Sequence, residues 1–516
     1  MKTQTGSPAN RLQPVGSVAV VAASTSPDRT RWHLRTALVA VVLLGGGLRA
    51  AAFLSDRCLW IDEAMLALNL VERGPAQLLD KLDHNQGAPV GFLLAAKLSA
   101  SAFGETEWAL RLVPFVASLV GLAAFVFVAR RLLPAPTALL AVALFAVSPH
   151  VVSYAGECKQ YASDAAVAVS LFALALGLLE GKGGWRWAAV ALAGALAVWC
   201  SHPAAFVLGG IGTALIASAA VARDRYRALA AGGVIAVWLA GFAACYFVCL
   251  RQLGGNKYLS DYWAGHFLAL PPRGVGDLTW LLDHMIAFFT LPGGFGGAIV
   301  PLGGLAALLA LIGLREFGRE RWPTAVALTV PVLLVLLASG LHKYPIGGRL
   351  MLFLVPPAVV SVARGAWVLF EALCEKNRFA AGAFVALLLL APVWETGDVL
   401  RRPPRHEELR PVIERVRAEL QPDDRVFVYY GAAPAFRFYT RAYPFAVNAV
   451  TVGEEHRGDP PAYRAELAQL KGRVWVLVSH RHGDEETLLR ATLDGRGVCE
   501  RTVKRPGAAG YLYRLD

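Results

Sequence analysis

Two adjacent carboxylates, Asp62 and Glu63, follow the first long apolar block of the chain, residues 34–54, almost directly. An ionised side chain beside a membrane-spanning segment is costly to hold near lipid, so it usually lies in a polar cavity for a functional reason. A carboxylate in such a cavity is a candidate for acid–base chemistry. The structural alternative is that the pair stabilises the N-terminus of a helix beginning at Ala64.

A second acidic candidate, Glu157, lies in the polar segment 148–161 together with Lys159 and Tyr161. A lysine and a tyrosine in this position suit contact with a phosphate or a sugar. They suit anchoring at the membrane interface equally well, so both interpretations of Lys159 and Tyr161 stay open.

A cationic group, His342, Lys343 and Arg349, stands at the start of the late apolar segment 347–363. A guanidinium group beside an apolar helix is costly unless it pairs with an anion, and a lipid phosphate is a natural partner. The alternative is that Arg349 extends to the lipid headgroups. The sequence therefore predicts that this group binds a phosphate at the membrane surface.

Three further histidines, His84, His202 and His266, are candidate substrate ligands or hydrogen-bond donors. They have no HExxH or comparable spacing, which leaves a structural polar contact as the alternative for each. A divalent metal ion held by the three candidate carboxylates is a hypothesis without a spacing motif to support it.

The composition indicates a membrane protein of many spans. The 516 residues are 56% hydrophobic and only 17% charged, with a mean hydropathy of +0.48, whereas a soluble protein carries about 25% charged residues. The net charge of +12 does not indicate nucleic-acid binding, because the arginines cluster at helix ends, where they set membrane orientation. Seven cysteines without CxxC spacing argue against a zinc ribbon. A disulfide between Cys58 and Cys158 stays open.

The apolar blocks predict about eleven membrane crossings, because a helix rises about 1.5 Å per residue and the hydrocarbon core is about 30 Å thick. These blocks lie at residues 34–54, 110–129, 136–154, 163–180, 186–201, 204–222, 228–250, 298–314, 323–341, 347–363 and 380–394.

The short block 89–103 decides the orientation. If it does not cross but lies along or partly into the interface, the arginine clusters at 130–131, 223–227 and 315–321 all face the cytoplasm. We therefore expect the N-terminus inside the cell and the C-terminus outside, in the plasma (inner) membrane. The polar segments that carry the candidate residues then share the outer face.

The chain divides into three regions. Residues 1–33 are polar and are expected to form a disordered cytoplasmic tail, and 34–397 form the membrane domain. Residues 398–516 alternate charged helical stretches, at 407–420 and 462–470, with short apolar strands at 425–430, 474–479 and 511–515. This alternation predicts a small extracytoplasmic α/β domain, and it lacks the glycine fingerprint of a dinucleotide site.

Four motifs occur in a fixed order: residues 60–64, residues 84–92 followed by 107–114, residues 148–161, and residues 349–356. In this order and spacing they resemble the polytopic lipid-dependent glycosyltransferases of the GT-C type. The group is glycosyltransferase family 39, which includes protein O-mannosyltransferases and aminoarabinose transferases. The resemblance extends over residues 34–365.

The resemblance implies a sugar donor carried on a polyprenyl phosphate, transferred outside the cytoplasm with inversion at the anomeric carbon. Asp62 matches the family's acidic residue in the first outer loop and is thereby the expected base, with Glu63 orienting it or helping to bind a divalent ion. Glu157 stands where some relatives carry Asp. Arg349 matches the family's arginine at the head of a late crossing. The departing phosphate needs nearby cations or a metal.

Two other classes compete with an enzyme. A lipid or solute transporter or flippase accounts for the many crossings, but transporters usually show internal repeats with matched broken helices, and this sequence has none. A binding or scaffold protein needs far fewer crossings than this chain has. The sequence does not identify the sugar or the acceptor, which is a protein, a lipid or a polysaccharide.

Overall fold

The computed structural model describes residues 27–254, 256–296, 301–402, 406–445 and 450–516. The helices of the membrane domain are Pro27–Phe53, Ile61–Glu72, Val90–Phe103, Glu107–Leu132, Ala135–Ala146, Pro149–Tyr154, Tyr161–Leu179, Trp185–Cys200, Ala204–Val221, Arg225–Cys245, Arg251–Gly254, Lys257–Tyr262, Val275–Thr290, Gly303–Glu320, Trp322–Gly340, Val355–Lys376 and Arg378–Arg401. Short 3₁₀ turns at Ala76–Leu79, Asp83–Asn85, Ala264–His266 and Gly348–Leu354 and a π turn at Tyr246–Leu250 connect them.

The structure confirms a polytopic α-helical membrane protein. Among the described residues, eight helices are long and apolar enough to cross a membrane: Arg31–Phe53, Glu107–Leu132, Tyr161–Leu179, Ala204–Val221, Arg225–Leu250, Trp322–Gly340, Gly348–Lys376 and Arg378–Arg401. The apolar helices Ala135–Ala146 and Trp185–Cys200 are shorter. The total of about eleven crossings stays a prediction, since it depends on such short segments.

Two predicted boundaries differ from the structure. The first helix begins at Pro27, several residues before the predicted end of the tail, and residues 1–26 lie outside the described part of the chain. The block 136–154 is two helices, Ala135–Ala146 and Pro149–Tyr154, because Pro149 cannot continue the hydrogen bonding of a helix and starts a new one instead.

Charged side chains gather at the two opposite ends of the helix bundle. At one end, Glu180 lies between Arg131 and Lys182, with Arg321 alongside. The opposite end carries the acidic motif and is called here the site end. The first helix runs from the Glu180 end, at its Pro27 terminus, to the site end, where Asp62 follows it.

The helix Val90–Phe103 begins and finishes at the site end. Near its start, Gly91 packs on Cys200, and a Cβ at Gly91 would lie 2.7 Å from the Cys200 Sγ. Just after its last residue, Glu105 pairs with Arg441 of the C-terminal domain. This arrangement fits a helix that lies along the membrane surface and does not cross.

Close helix contact in the core depends on glycines. The helices Gly303–Glu320 and Val355–Lys376 approach so closely that a Cβ at Gly313 would lie 1.9 Å from the Ser361 carbonyl oxygen. A Cβ at Gly365 would lie 1.9 Å from the Leu309 carbonyl oxygen. Small residues allow the backbones of two membrane helices to approach this closely. Such close packing is important because, within lipid, the hydrophobic effect does not drive the helices together.

The C-terminal domain is a five-stranded mixed sheet with strand order β2-β1-β3-β5-β4. Its strands are β1 (Arg425–Val428), β2 (Val450–Val452), β3 (Gly472–Ser479), β4 (Gly497–Arg505) and β5 (Ala508–Leu515), and its helices are Leu409–Glu419, Ala433–Thr440, Pro460–Leu467 and Glu485–Asp494. β1, β2 and β3 are parallel, while β5 is antiparallel to both β3 and β4. The predicted α/β domain is confirmed, and it packs on the site end.

The three predicted strands and two predicted helices are present, and the sequence interpretation missed β2, β4 and two helices. β4 carries charges at successive positions and is mostly exposed, so it lacks the alternation that marks a half-buried strand. All seven cysteines have free thiols, so the disulfide left open between Cys58 and Cys158 is absent.

Candidate active site

Asp62 lies between two cations that come from distant parts of the chain. Its Oδ1 is 3.0 Å from Lys159 Nζ, and its Oδ2 is 2.7 Å from Arg349 Nη1. The contact with Arg349 is an ion pair without the geometry of a hydrogen bond. Gln86 completes the arrangement by donating its amide to Asp62 Oδ1 at 3.3 Å and accepting from Lys159 Nζ at 2.6 Å. All four motifs therefore meet at Asp62, the second of them through Gln86.

The electrostatic balance at Asp62 favours the ionised carboxylate. Burial raises the pKa of Asp62, but the charges of Lys159 and Arg349, and the hydrogen bonds from Lys159 and Gln86, outweigh burial and lower the pKa to about 2. In this state the carboxylate is charged at neutral pH but binds a proton weakly. Any change that draws the two cations away raises the proton affinity of Asp62.

Arg349 is enclosed by aromatic rings as well as by the carboxylate. Its guanidinium carbon lies 5.6 Å from the centre of the Trp60 ring and 5.3 Å from that of Tyr161. Tyr154 packs edge-on against Tyr161 at 5.3 Å. Cation–π contacts of this kind hold a guanidinium group in place without neutralising its charge, so the group keeps its capacity to bind an anion.

Glu63 points away from Asp62 and forms a separate ion pair. Its carboxylate receives two hydrogen bonds from Arg111, at 2.9 and 2.8 Å, and one from the Cys158 backbone N–H at 2.7 Å. Both side chains are buried, with exposed fractions of 0% for Glu63 and 2% for Arg111. Burial raises the pKa of Glu63, but the Arg111 guanidinium outweighs it and holds that pKa below its usual value. The pair joins the acidic motif to the helix Glu107–Leu132.

Glu157 is a buried carboxyl group whose Oε1 has no hydrogen-bond partner among the described residues. Burial, followed by the negative charge of Glu63, raises the pKa of Glu157 to about 7, against the opposing charges of Arg57 and Arg349. A carboxyl group that titrates near neutral pH is suited to accept or release a proton in the operating range of an enzyme.

The three candidate carboxylates do not form a metal site. Asp62 is bound to two cations, and Glu63 is bound to Arg111, so neither offers the unpaired oxygen donors that a divalent ion needs. Across the described parts of the chain, no group of three or more His, Cys, Asp or Glu side chains is arranged to hold a metal ion. The donor set does not fit a metal at the acidic motif.

A polar cavity of about 420 Å³ adjoins Gln86. His202 lines it, together with Lys81, Gln252 and Asn256. His84 does not line this cavity; it lies two residues before Gln86, in a turn where His84 and Asn85 both have left-handed backbone conformations, with φ of 58° and 53°. Non-glycine residues in this conformation cost free energy and cluster at functional sites.

The remaining predicted residues lie away from Asp62. His266 has its Nδ1 3.2 Å from the Ile346 carbonyl oxygen and packs edge-on against Trp263. His342 and Lys343 are exposed, and within the described residues neither contacts Asp62, Lys159 or Arg349. The structure therefore brings Arg349 into the site and leaves its two predicted cationic neighbours outside it.

Sequence reasoning missed three polar residues of this region. Gln86 and Arg111 stand inside the quoted motifs, at 84–92 and 107–114, yet no role was assigned to them. Asp164, on the helix Tyr161–Leu179, is buried and has an Oδ1 without a hydrogen-bond partner in the described chain. The available signal was that an ionisable residue inside a membrane segment is by default a functional candidate.

Comparisons with known proteins identify the fold. Residues 86–246 match the family described as dolichyl-phosphate-mannose-protein mannosyltransferase. The crystal structure of ArnT from Cupriavidus metallidurans bound to undecaprenyl phosphate is similar, with a TM-score of 0.55 and 15% identity, over 94% of this chain and 98% of that one. The fold is that of the GT-C glycosyltransferases. The predicted resemblance to glycosyltransferase family 39 is confirmed over residues 86–246, a part of the predicted range 34–365.

A second structural relative comes from an archaeon. The Archaeoglobus fulgidus oligosaccharyltransferase in complex with Zn and sulfate has a TM-score of 0.51 and 14% identity, over 92% of this chain and 72% of that one. No curated protein matches this sequence. Asp62 and Arg349 lie outside the residues that match the family, so their roles depend on the geometry above.

Proposed function

We propose that this chain is a membrane glycosyltransferase that moves a sugar from a polyprenyl phosphate to a hydroxyl acceptor with inversion, with Asp62 as the general base. The observation that supports this most directly is the position of Asp62 between Lys159 and Arg349. An inverting transfer with a phosphate leaving group needs a base for the acceptor hydroxyl and cations for the departing phosphate, and this site holds both.

Donor binding prepares the base. The phosphate of the donor competes with Asp62 for Arg349 and Lys159, because a phosphate oxygen is a strong acceptor for charge-assisted hydrogen bonds. As the cations turn to the phosphate, the main cause of the low pKa of Asp62 is removed and its proton affinity rises. Asp62 thus becomes an effective base only when the donor is in place.

The transfer step then balances as follows. The acceptor oxygen attacks the anomeric carbon, and its proton passes to Asp62 as the new carbon–oxygen bond forms. The bond from the anomeric carbon to the phosphate oxygen breaks, and its electron pair leaves on that oxygen. Arg349 and Lys159 stabilise the resulting negative charge. None of these steps requires a metal ion.

Glu157 is the second candidate for proton handling. Burial and the negative charge of Glu63 raise the pKa of Glu157 to about 7, and its Oε1 is unpartnered in the described structure. We assign it to take the proton onward from Asp62, or to stay neutral and limit the negative charge near the departing phosphate.

Two cavities offer space for the parts of the donor. The polar cavity beside Gln86, lined by His202, suits the hydroxyl groups of the sugar. A second cavity of about 420 Å³ is lined by apolar side chains, among them Phe353 and Leu354, a few residues after Arg349. A polyprenyl chain needs an apolar path near its phosphate, and we assign this cavity to the chain.

The proposed orientation places the N-terminus in the cytoplasm and the C-terminus outside, in the inner (plasma) membrane. Cysteine labelling from outside intact cells tests this, with Asp516 and Arg225 each replaced by cysteine in a chain without its seven native cysteines. Labelling is expected at position 516 and not at 225. The opposite pattern would place the site in the cytoplasm and reject an outer-leaflet reaction.

A transporter is the alternative class, and it is not favoured. The ion pairs at Asp62 and Glu63 join the helix Ile61–Glu72 to fixed neighbours at one end of the bundle, and the structural relatives are glycosyltransferases. Movement of radiolabelled lipid across vesicles without formation of a new glycoside would favour the transporter.

The activity test supplies membranes with radiolabelled polyprenyl-phosphate sugars and identifies the labelled product. Asp62→Asn keeps the size and removes the charge, so the rate should fall on the order of a hundredfold or more. Asp423→Asn is the matched control, because Asp423 is exposed in the C-terminal domain. Asp62→Asn activity within a few-fold of wild type would reject Asp62 as the base and transfer that role to Glu157.

A further inference from the structure

The C-terminal domain holds the segment that carries Asp62. Three side chains of this domain accept hydrogen bonds from the backbone of the segment 58–61. Glu407 Oε2 accepts from the Ile61 N–H at 2.8 Å, the Tyr439 hydroxyl from the Leu59 N–H at 2.7 Å, and Glu408 Oε1 from the Cys58 N–H at 3.4 Å.

The contact made by Glu407 falls where the helix Ile61–Glu72 lacks a cap of its own. The first N–H groups of a helix have no partner within it, and a side chain of the preceding residue usually satisfies one of them. Here the preceding residue is Trp60, which makes no such hydrogen bond. Glu407 supplies the missing acceptor from another domain, and its negative charge also suits the positive end of the helix dipole.

Glu407 is itself fixed in position. It is buried, with an exposed fraction of 6%, and its other oxygen lies 2.7 Å from Nδ1 of His480, the residue after β3. The backbone on its C-terminal side is tied by a hydrogen bond from the Glu408 N–H to the Pro506 carbonyl oxygen at 2.9 Å. A buried carboxylate with both oxygens engaged is a rigid support for the helix start.

We infer that Glu407 is a positioning residue for the transfer reaction: it fixes the first turn of the helix Ile61–Glu72 and thereby the place of Asp62 relative to Lys159 and Arg349. This inference rests on the proposed function for its consequence in catalysis. The C-terminal domain is then a structural part of the active site, since the carboxylate that caps the helix belongs to it.

Peripheral ion pairs hold the same interface and do not explain the cap. Arg410 pairs with Asp56 and Glu107 at 2.6 and 2.7 Å, and Arg437 pairs with Glu72 at 2.7 Å. These side chains are partly or largely exposed, and exposed ion pairs contribute little to stability. The main support of the interface is instead the buried apolar packing between the helices Ile61–Glu72 and Ala433–Thr440, so loss of Glu407 alone should leave the domain docked while the helix start loosens.

The first test measures hydrogen–deuterium exchange of the full-length protein in lipid nanodiscs, over peptides covering 56–66. Glu407→Ala removes the acceptor, so exchange at the start of the helix should rise on the order of tenfold. Glu407→Gln keeps an acceptor oxygen and should recover most of the protection. Glu414→Ala, an exposed carboxylate on the helix Leu409–Glu419, is the matched control and should match wild type. Equal protection in Glu407→Ala and wild type would overturn the inference.

The second test measures donor kinetics. A displaced base lowers kcat on the order of tenfold to a hundredfold, because an error of about 1 Å in a reacting group can cost that much. The donor KM should change little, since Arg349 is untouched. If exchange rises in Glu407→Ala but kcat equals that of wild type, Glu407 stabilises the fold without positioning the base. The exchange measurement does not depend on activity, so it remains valid even if the wild-type protein proves not to be a glycosyltransferase. Failure of the inference about Glu407 can therefore be distinguished from failure of the proposed function.

Discussion

The buried ion pair between Glu63 and Arg111 indicates that Glu63, the second residue of the acidic motif, has a structural role. This role can be tested separately from a catalytic one. Arg111 donates two hydrogen bonds to Glu63 and two more to the backbone carbonyl oxygens of Arg57 and Cys58, at 3.0 and 3.3 Å. With all of these contacts buried, the pair fixes the loop that precedes Asp62. We therefore predict that Glu63 acts through stability and not through proton transfer.

The expected loss of stability depends on which of the two charged side chains is left without its partner. Arg111→Met buries the Glu63 carboxylate without its main partner, and breaking a buried ion pair in this way costs about 3–5 kcal/mol. Glu63→Gln leaves the Arg111 guanidinium in the same position. The double variant leaves the same two carbonyl oxygens unpaired as Arg111→Met does, so their cost cancels in the comparison. What differs is that a buried unpaired carboxylate, at about 3–5 kcal/mol, is replaced by a buried neutral amide, at about 1–3 kcal/mol. The double variant should thus be more stable than Arg111→Met by roughly 2 kcal/mol.

The assay is reversible unfolding in mixed micelles with increasing denaturing detergent, applied to wild type, both single variants and the double variant. The four free energies of unfolding form a double-mutant cycle, which isolates the coupling between the two side chains. A double variant as unstable as Arg111→Met would refute the reasoning. Full stability of Glu63→Gln combined with loss of transferase activity would instead give Glu63 a direct part in the chemistry.

Three further predictions concern neighbouring residues. Glu157→Gln should be more stable than wild type above pH 7 and gain nothing below pH 4.5. The reason is that the folded protein binds the Glu157 proton more tightly than the unfolded chain, so wild type loses stability as pH rises between these values; unfolding measured at about pH 4 and pH 8 checks it. Gly156→Ala places a Cβ 2.5 Å from the Ala52 carbonyl oxygen and should destabilise by about 1–3 kcal/mol, measured as a lower unfolding midpoint. Arg349→Ala should reduce kcat more than Arg349→Lys does, because the guanidinium group stabilises the departing phosphate; an increase in donor KM alone would leave it a docking residue.

Hydropathy predicted the membrane domain well because each bilayer crossing leaves a long local signal. Charge set the helix Val90–Phe103 apart from the predicted crossings, since counting it would have moved the arginines at 130 and 131 to the outer face, and this orientation stays a prediction. Broken segments were harder. The helix break at Pro149 leaves the hydropathy of residues 136–154 unchanged. Hydropathy averaged over a window does not detect the loss of helical hydrogen bonds at one proline.

The site was predicted in part. Asp62, Lys159 and Arg349 were chosen from residue type and family resemblance, and the structure places all three together. The partner of Glu63 was not predicted, because Arg111 is separated from it by a whole helix. Nothing in a single sequence indicates that Glu407, in a different domain, contacts Ile61. Such long-range pairs depend on tertiary packing, which no local pattern encodes.

The different fates of Asp62 and Glu63 follow from helix geometry. The two residues are neighbours in the first turn of the helix Ile61–Glu72, and side chains at i and i+1 of a helix do not face each other. One carboxylate therefore faces Lys159 and Arg349, while the other faces Arg111. If both were directed at one point, their mutual repulsion would raise the pKa of one of them or require a bound cation. Because they diverge, one is free to exchange partners with a substrate while the other holds the turn in place.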